Sequence, residues 1–166
     1  MRILALCGSL QAQSSNLSLL RSAVAQAPAG VEVVVFDGIR HLPHFDPDLE
    51  ADGAPASVAA FRRAIAESDA VLIACPEYGH SLPGALKNAI DWVIGSGELE
   101  RKIVAITAAV PGSERGRRGL KALSDTLGAV SARIVGGEPI LRNDLDGEVA
   151  KLLQALIREI ETAAPP

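Results

Sequence analysis

The sequence predicts a three-layer α/β sandwich on a doubly wound, five-stranded parallel sheet of strand order 2-1-3-4-5. Three observations lead there. Short apolar runs alternate with helix-period segments along the whole chain, as serial β–α units do. The first, third and fourth runs are apolar on both faces, as central strands of a parallel sheet are. The runs number five, not the six of a full dinucleotide-binding sheet, and right-handed crossovers then leave few topologies.

The first strand is 2–7 (RILALC). Its apolar run stops at Gly8, too short for a secretory leader with its small-residue cleavage site. A helix over about 16–27 follows, with Ser14, Ser15 or Asn16 able to cap it. The second strand is 31–36 (VEVVVF). The stretch 37–55 holds three prolines and reads as one long loop over the top of the sheet or against a partner. A helix over 56–68 has Ser57 in its first turn and leads to the third strand, 70–75 (AVLIAC). Pro83 stands near the start of the next helix, 84–95, where its missing N–H costs least. A fourth strand (102–109), a helix (116–128), a fifth strand (131–135) and a last helix (147–163) complete the series. The end, Ala-Ala-Pro-Pro, is expected to fray. Repeats, linkers and low-complexity tracts are absent, so residues 1–166 are expected to form one domain.

Composition removes several functions. The core is made of small aliphatics, since the aromatics are only Phe36, Phe45, Phe61, Tyr78 and Trp92. A net charge of -4 without a basic cluster lacks the footprint of a nucleic-acid binder. The apolar segments all fall short of the roughly 20 residues of a membrane span. Cys7 and Cys75 each end an apolar run and read as buried, reduced thiols of a cytoplasmic protein. His/Cys spacing gives no metal site, and His41 and His44 lie in the Pro-rich loop.

In such sheets ligands bind at the carboxyl ends of the strands, where the order reverses. The first loop there runs from Gly8 to Asn16 (GSLQAQSSN) and offers hydroxyls, amides and a helix N-terminus, which suit a phosphate as well as plain capping. It lacks the Gly-x-Gly-x-x-Gly of dinucleotide folds and the Gly-Lys-Ser/Thr of P-loops. A phosphatase loop would need an Arg six residues beyond its Cys, but Gln13 follows Cys7 and Ser81 follows Cys75 at that spacing. The second loop, Cys75 to Gly84, is stiffened by Pro76, Gly79, Pro83 and Gly84. It carries Tyr78, the chain's single Tyr, suited to the face of a flat heteroaromatic ring or to plugging a core edge.

The segment PEYGHSLPGALKNAIDW closely resembles the signature of the NADPH-dependent FMN reductase family. The first loop, the stretch LPHFDPDLE, and Ala108-Ala109-Val110-Pro111-Gly112 with Gly116 and Arg118 resemble its other segments, over about residues 2–135. The resemblance implies a flavodoxin-like fold, noncovalent FMN, a homodimer or homotetramer, and NAD(P)H-dependent reduction of flavins, quinones, azo compounds or oxidised metal anions. It implies that Ser9, Gln11, Ser14 and Asn16, with Ser15 beside them, hold the FMN phosphate. Pro76, Glu77, Tyr78 and Gly79 would contact the isoalloxazine, and Ala108 would lie beside the ring or ribityl chain. Gln11 stands where the family usually has Arg, Gly79 where it has Asn, and Ala108 and Val110 where it often has hydroxyls.

Hydride transfer is the flavin's own chemistry, so neither a catalytic acid–base pair nor a nucleophile is expected. NAD(P)H and the acceptor would use one slot in turn, in a ping-pong cycle. Asp91 and Trp92 read as residues of a subunit interface, and His80 as a solvated loop residue. The alternative reading is a flavin-binding redox carrier or regulatory module without its own NAD(P)H oxidase activity.

Overall fold

The structure is a computed structural model and describes residues 1–163. The tail expected to fray lies, from residue 164 onward, outside the described residues. Five parallel strands form one sheet in the order β2-β1-β3-β4-β5, as expected. They are β1 (Arg2–Cys7), β2 (Glu32–Phe36), β3 (Ala70–Ala74), β4 (Ile103–Val110) and β5 (Arg133–Leu141). The helices are α1 (Ser15–Ala25), α2 (Pro47–Ala51), α3 (Ala56–Ala66), α4 (Gly84–Ile94), α5 (Arg117–Ala129) and α6 (Leu145–Ala163).

The pleat sorts the sheet's apolar residues into two cores. Leu4, Leu6, Val71, Ile73, Val104 and Ile106 face α3, α4 and α5. Their chain neighbours Ile3, Ala5, Ala70, Leu72 and Ala105 face α1 and α6. Because both faces are covered, β3 and β4 are buried from end to end. That explains the continuous apolar runs and leaves the loops at the strands' carboxyl ends as the polar edge.

Two elements depart from the sequence reading. The fifth strand runs on to Leu141 instead of ending at Val135. Gly136 and Gly137, at φ 76° and 108°, form a bulge there, and the register with β4 shifts between Ile106 and Ala108. The Thr107 hydroxyl donates to the Glu138 carbonyl at 2.9 Å across this irregularity. Since β5 is an edge strand, Pro139 is tolerated within it. The stretch 37–55 is not wholly irregular: it holds a 3-10 turn, Ile39–His41, and α2. The Asp46 carboxylate accepts from the Asp48 amide at 2.9 Å, and Pro47 fills the first helical position.

This excursion crosses α4 and covers Trp92. The indole Nε1 and the Asn88 amide both donate to the Pro43 carbonyl at 2.8 Å. Asn88 Oδ1 accepts from the Phe45 amide, also at 2.8 Å, and the Phe45 ring stands edge-on to the indole at 5.1 Å. Trp92 is 0% exposed and therefore cannot present itself to a neighbouring subunit, contrary to the sequence expectation. Trp92, together with Asn88, instead fastens the long excursion to α4. Asp91 remains half-buried and pairs with Lys87 one turn earlier.

Candidate functional site

The second, third and fourth strands from the β2 edge, β1, β3 and β4, end in loops that meet at the carboxyl edge. Gly8 allows the first contact. A Cβ at Gly8 would lie 3.1 Å from both Pro76 Cδ and Leu86 Cδ2, so the β1–α1 loop presses directly on the β3–α4 loop. Ser9 is buried, and its Oγ accepts from the Gln11 amide at 3.2 Å and shares a 3.3 Å hydrogen bond with the Tyr78 hydroxyl. Ser14 caps α1 by accepting from the Asn16 amide at 3.2 Å. Asn16 is buried, and its Oδ1 accepts from the Ala109 amide at 2.9 Å, tying the helix start to β4. Ser15 is half-buried in the first turn, and Gln11 is exposed on the loop's rim. Among the described residues the amides of Ser15 and Leu17 have no protein partner, as expected of donors at a helix start.

In the second loop, Tyr78 and Ser81 exchange two backbone hydrogen bonds of 3.0 Å. Gly79 and His80 lie between them at φ 56° and 64°, two successive left-handed residues in a tight reversal. The turn pushes Tyr78 outward. At 52% exposed, the ring does not plug a core edge and stands open to solvent. Between Tyr78 and the loop that follows β4 lies a cavity of about 230 Å³, walled by Pro76, Ala109, Val110 and Pro111, with Arg115 and Arg142 at its rim. Ala108 is fully buried one layer beneath that wall. A larger cavity of about 530 Å³ borders the first loop on the β2 side, touching Ser9, Gln11, Arg21, Asp37 and Arg40.

Glu77 borders the smaller cavity, and its carboxylate is held by the start of α5. Its Oε2 accepts from the amides of Arg118 and Gly119 at 3.1 and 3.3 Å, and its Oε1 meets His80 Nδ1 at 3.2 Å. The hydrogen bond from His80 chiefly, helped by the two α5 amides, holds the carboxyl below the ordinary glutamate range. The approach is close because residue 119 is Gly. A Cβ there would lie 2.9 Å from Glu77 Cα. Glu77 thus fastens the second loop to the N-terminus of α5.

The structure therefore joins Ser9 to Tyr78 and Asn16 to β4, and it turns the Glu77 side chain to a structural task. Sequence reasoning does not find Gly119 or Arg40. A lone Gly inside a helical pattern is the signal for the first. Arg40, whose Nη2 donates to the Leu10 carbonyl at 2.8 Å, carries no local signal. Neither thiol suits a nucleophile: burial pushes Cys75 up to about 12, and burial also raises Cys7 against hydrogen bonds from the Ser9 amide and the Ser14 hydroxyl. Among the described residues no cluster of His, Cys, Asp or Glu could hold a metal ion.

Residues 1–146 match the NADPH-dependent FMN reductase family. The chain belongs to that family. An NAD(P)H-dependent FMN reductase of Pseudomonas aeruginosa is 38% identical over 118 residues, 71% of this chain and 62% of that protein. A quinone reductase of Escherichia coli is 40% identical over 94 residues, 56% of this chain and 50% of that one. The chain thus spans between half and two thirds of the length of these curated relatives. Among solved structures, the flavoenzyme NAD(P)H:(acceptor) oxidoreductase of Paracoccus denitrificans superposes with a TM-score of 0.80 at 28% identity, covering 95% of this chain and 97% of that one. An NADH:FMN oxidoreductase in its apo form shares the fold, with a TM-score of 0.75 at 19% identity.

The donor set fits the mononucleotide that gives the FMN reductase family its name. Free amides at the start of α1 and the loop hydroxyls suit a phosphate. The outward Tyr78 ring beside Pro76 and the Ala109–Pro111 backbone suits a flat heterocycle.

Proposed function

We propose that this chain holds FMN noncovalently, as one flavin-binding domain, and passes electrons from NAD(P)H to a small acceptor such as a quinone, free flavin, azo compound or oxidised metal anion. The observation that carries the reading is the joining of the first and second loops through the Ser9–Tyr78 hydrogen bond. It brings the hydroxyls and amides of the first loop beside an exposed aromatic on one edge of the sheet, which supports a ligand with a phosphate end and a flat ring. The names of the relatives point the same way. FMN, when bound, supplies the hydride chemistry.

The protein's residues position and shield. The free backbone amides of Ser15 and Leu17, with the hydroxyls of Ser9 and Ser14 and the side-chain amides of Gln11 and Asn16 around them, would hold the phosphate end. Pro76, Tyr78 and the positive-φ turn at Gly79 give the heterocycle a stiff backbone edge, with Glu77 securing that turn to α5. Ala108 backs the opposite wall. We further propose a cytoplasmic homodimer or homotetramer. No described helix is long and apolar enough to cross a membrane.

The absorbance spectrum of the purified protein, followed by NAD(P)H oxidation with FMN and a quinone, tests the reading. Flavin bands and ping-pong kinetics are the expected outcome. A protein that binds FMN but never consumes NAD(P)H is a carrier or regulatory module, and one that binds no flavin overturns the proposal.

A further inference from the structure

A phosphate monoester near neutral pH carries close to two negative charges, yet the loop from Gly8 to Asn16 contains no cation. Neutral donors and one helix end contribute little against such a charge. The fold brings the missing charge from elsewhere. Arg40, in the 3-10 turn after β2, reaches across thirty residues of sequence to the Leu10 carbonyl at 2.8 Å. Only its Nη2 is used, which leaves Nε and Nη1 of the guanidinium to donate. Arg40 and Gln11 border the same 530 Å³ cavity, and Leu17, whose amide is free, lines it too. Arg21 of α1 also faces that cavity, opposed by the single carboxylate of Asp37. Among the described residues neither Arg40 nor Arg21 makes an ion pair.

We propose that Arg40 is the cationic ligand of the FMN phosphate, delivered by the β2 turn to a first loop that has no charge of its own. This rests on the reading of the site as an FMN site. A guanidinium suits the task because its donors form a planar fork. One arm fixes the loop through Leu10 while another meets a phosphate oxygen. The cavity between the turn and the loop is then the entry for the phosphate end. Its residual positive charge, two arginines against one aspartate, favours an anion there over the uncharged ribityl end of riboflavin.

The test is a fluorescence titration of FMN and of riboflavin against the wild type, Arg40→Gln, Arg40→Lys and the double variant Arg40→Gln/Gln11→Arg, at low and high salt. Urea unfolding of each variant accompanies it. Arg40→Gln is expected to weaken FMN by about ten- to a hundredfold, the effect of losing one charge-assisted hydrogen bond, while riboflavin changes by less than about twofold. Arg40→Lys keeps the charge and loses the fork, so its FMN affinity falls between those of the wild type and Arg40→Gln. Restoring a guanidinium on the loop itself through Gln11→Arg recovers what Arg40→Gln loses. Wild-type FMN affinity falls with salt, and the Arg40→Gln affinity falls less. Equal weakening of FMN and riboflavin means that Arg40 only anchors Leu10, and it overturns the proposal, as does an unchanged FMN affinity. Should Arg40→Gln not fold, the wild type and Arg40→Lys decide: equal affinity for FMN and riboflavin at low salt overturns the proposal. A wild type that binds neither flavin overturns the FMN reading itself, a result distinct from all of these.

Discussion

At Glu77 one carboxylate serves two masters, the His80 ring and the first amides of α5. Glu77→Gln keeps the shape and removes the charge. It should lower stability at neutral pH by about 1–2 kcal/mol, read as a shift in the urea midpoint. The folded-state carboxyl lies below its ordinary value, so the stabilisation is complete above the unfolded pKa of about 4.3 and is lost as pH falls through the folded value. The gap between wild type and variant should therefore close in acid. A gap that stays constant down to strongly acidic pH would show that charge is not its source. Gly79 makes a second residue-scale case. Open space surrounds its missing Cβ, and only the φ of 56° selects the residue. Gly79→Asn should cost a few tenths of a kcal/mol, because Asn visits this region, whereas Gly79→Val should cost about 1–2 kcal/mol without any ligand. Equal melting temperatures for the two variants would contradict this. Tyr78 and Ser9 are legible in the sequence as loop residues, because turn chemistry is local. Their mutual hydrogen bond is not, nor is the reach of Arg40, because nothing in a local pattern encodes which distant residue closes a contact.

The strands in the middle of the sheet are the legible elements. Their apolar runs are unbroken, and β1 and β3 end within a residue of where the sequence places them. The fifth strand is cut short in the sequence reading because Gly136-Gly137 followed by Pro139 has the composition of a turn. At an edge, a glycine bulge and a proline can both be absorbed while pairing continues. The Asp46-Pro47 start of α2 has a helix-cap signature that the surrounding prolines conceal. The packing of α5 on the second loop is tested by Gly119→Ala. The added methyl would meet the Glu77 backbone, a neighbour that cannot swing aside as a side-chain tip can. A loss of about 1–3 kcal/mol is expected, together with weaker FMN binding, since the loop and the helix must part. A variant with wild-type stability and affinity would mean that the two elements slide freely.

For the whole molecule, strand count and serial β–α order were enough to give the sheet order, since right-handed crossovers exclude most alternatives. They also pointed to the edge where the three loops converge. A ligand that binds only the folded chain stabilises it by mass action. FMN at about a hundred times its Kd should add roughly 2.7 kcal/mol and raise Tm by about 5–11 °C for a domain of this size. Differential scanning fluorimetry with and without FMN reads this directly. An unchanged Tm at saturating FMN would count against a site built on the native loops.

Cys7 ends β1 and Cys75 follows the last residue of the adjacent β3, and Cys7 pairs in register with Ala74, the residue before Cys75. Their surroundings differ. Cys75 is 0% exposed in the core beneath α4 and α5, whereas Cys7, at 9%, borders the larger cavity beside the first loop. A thiol-reactive dye added to the native protein would therefore keep two clocks. Cys7 would count local openings of the first loop and slow down when a ligand is seated there. Cys75 would wait for the centre of the sheet to come apart, so its labelling rate would track the opening of the most protected part of the fold.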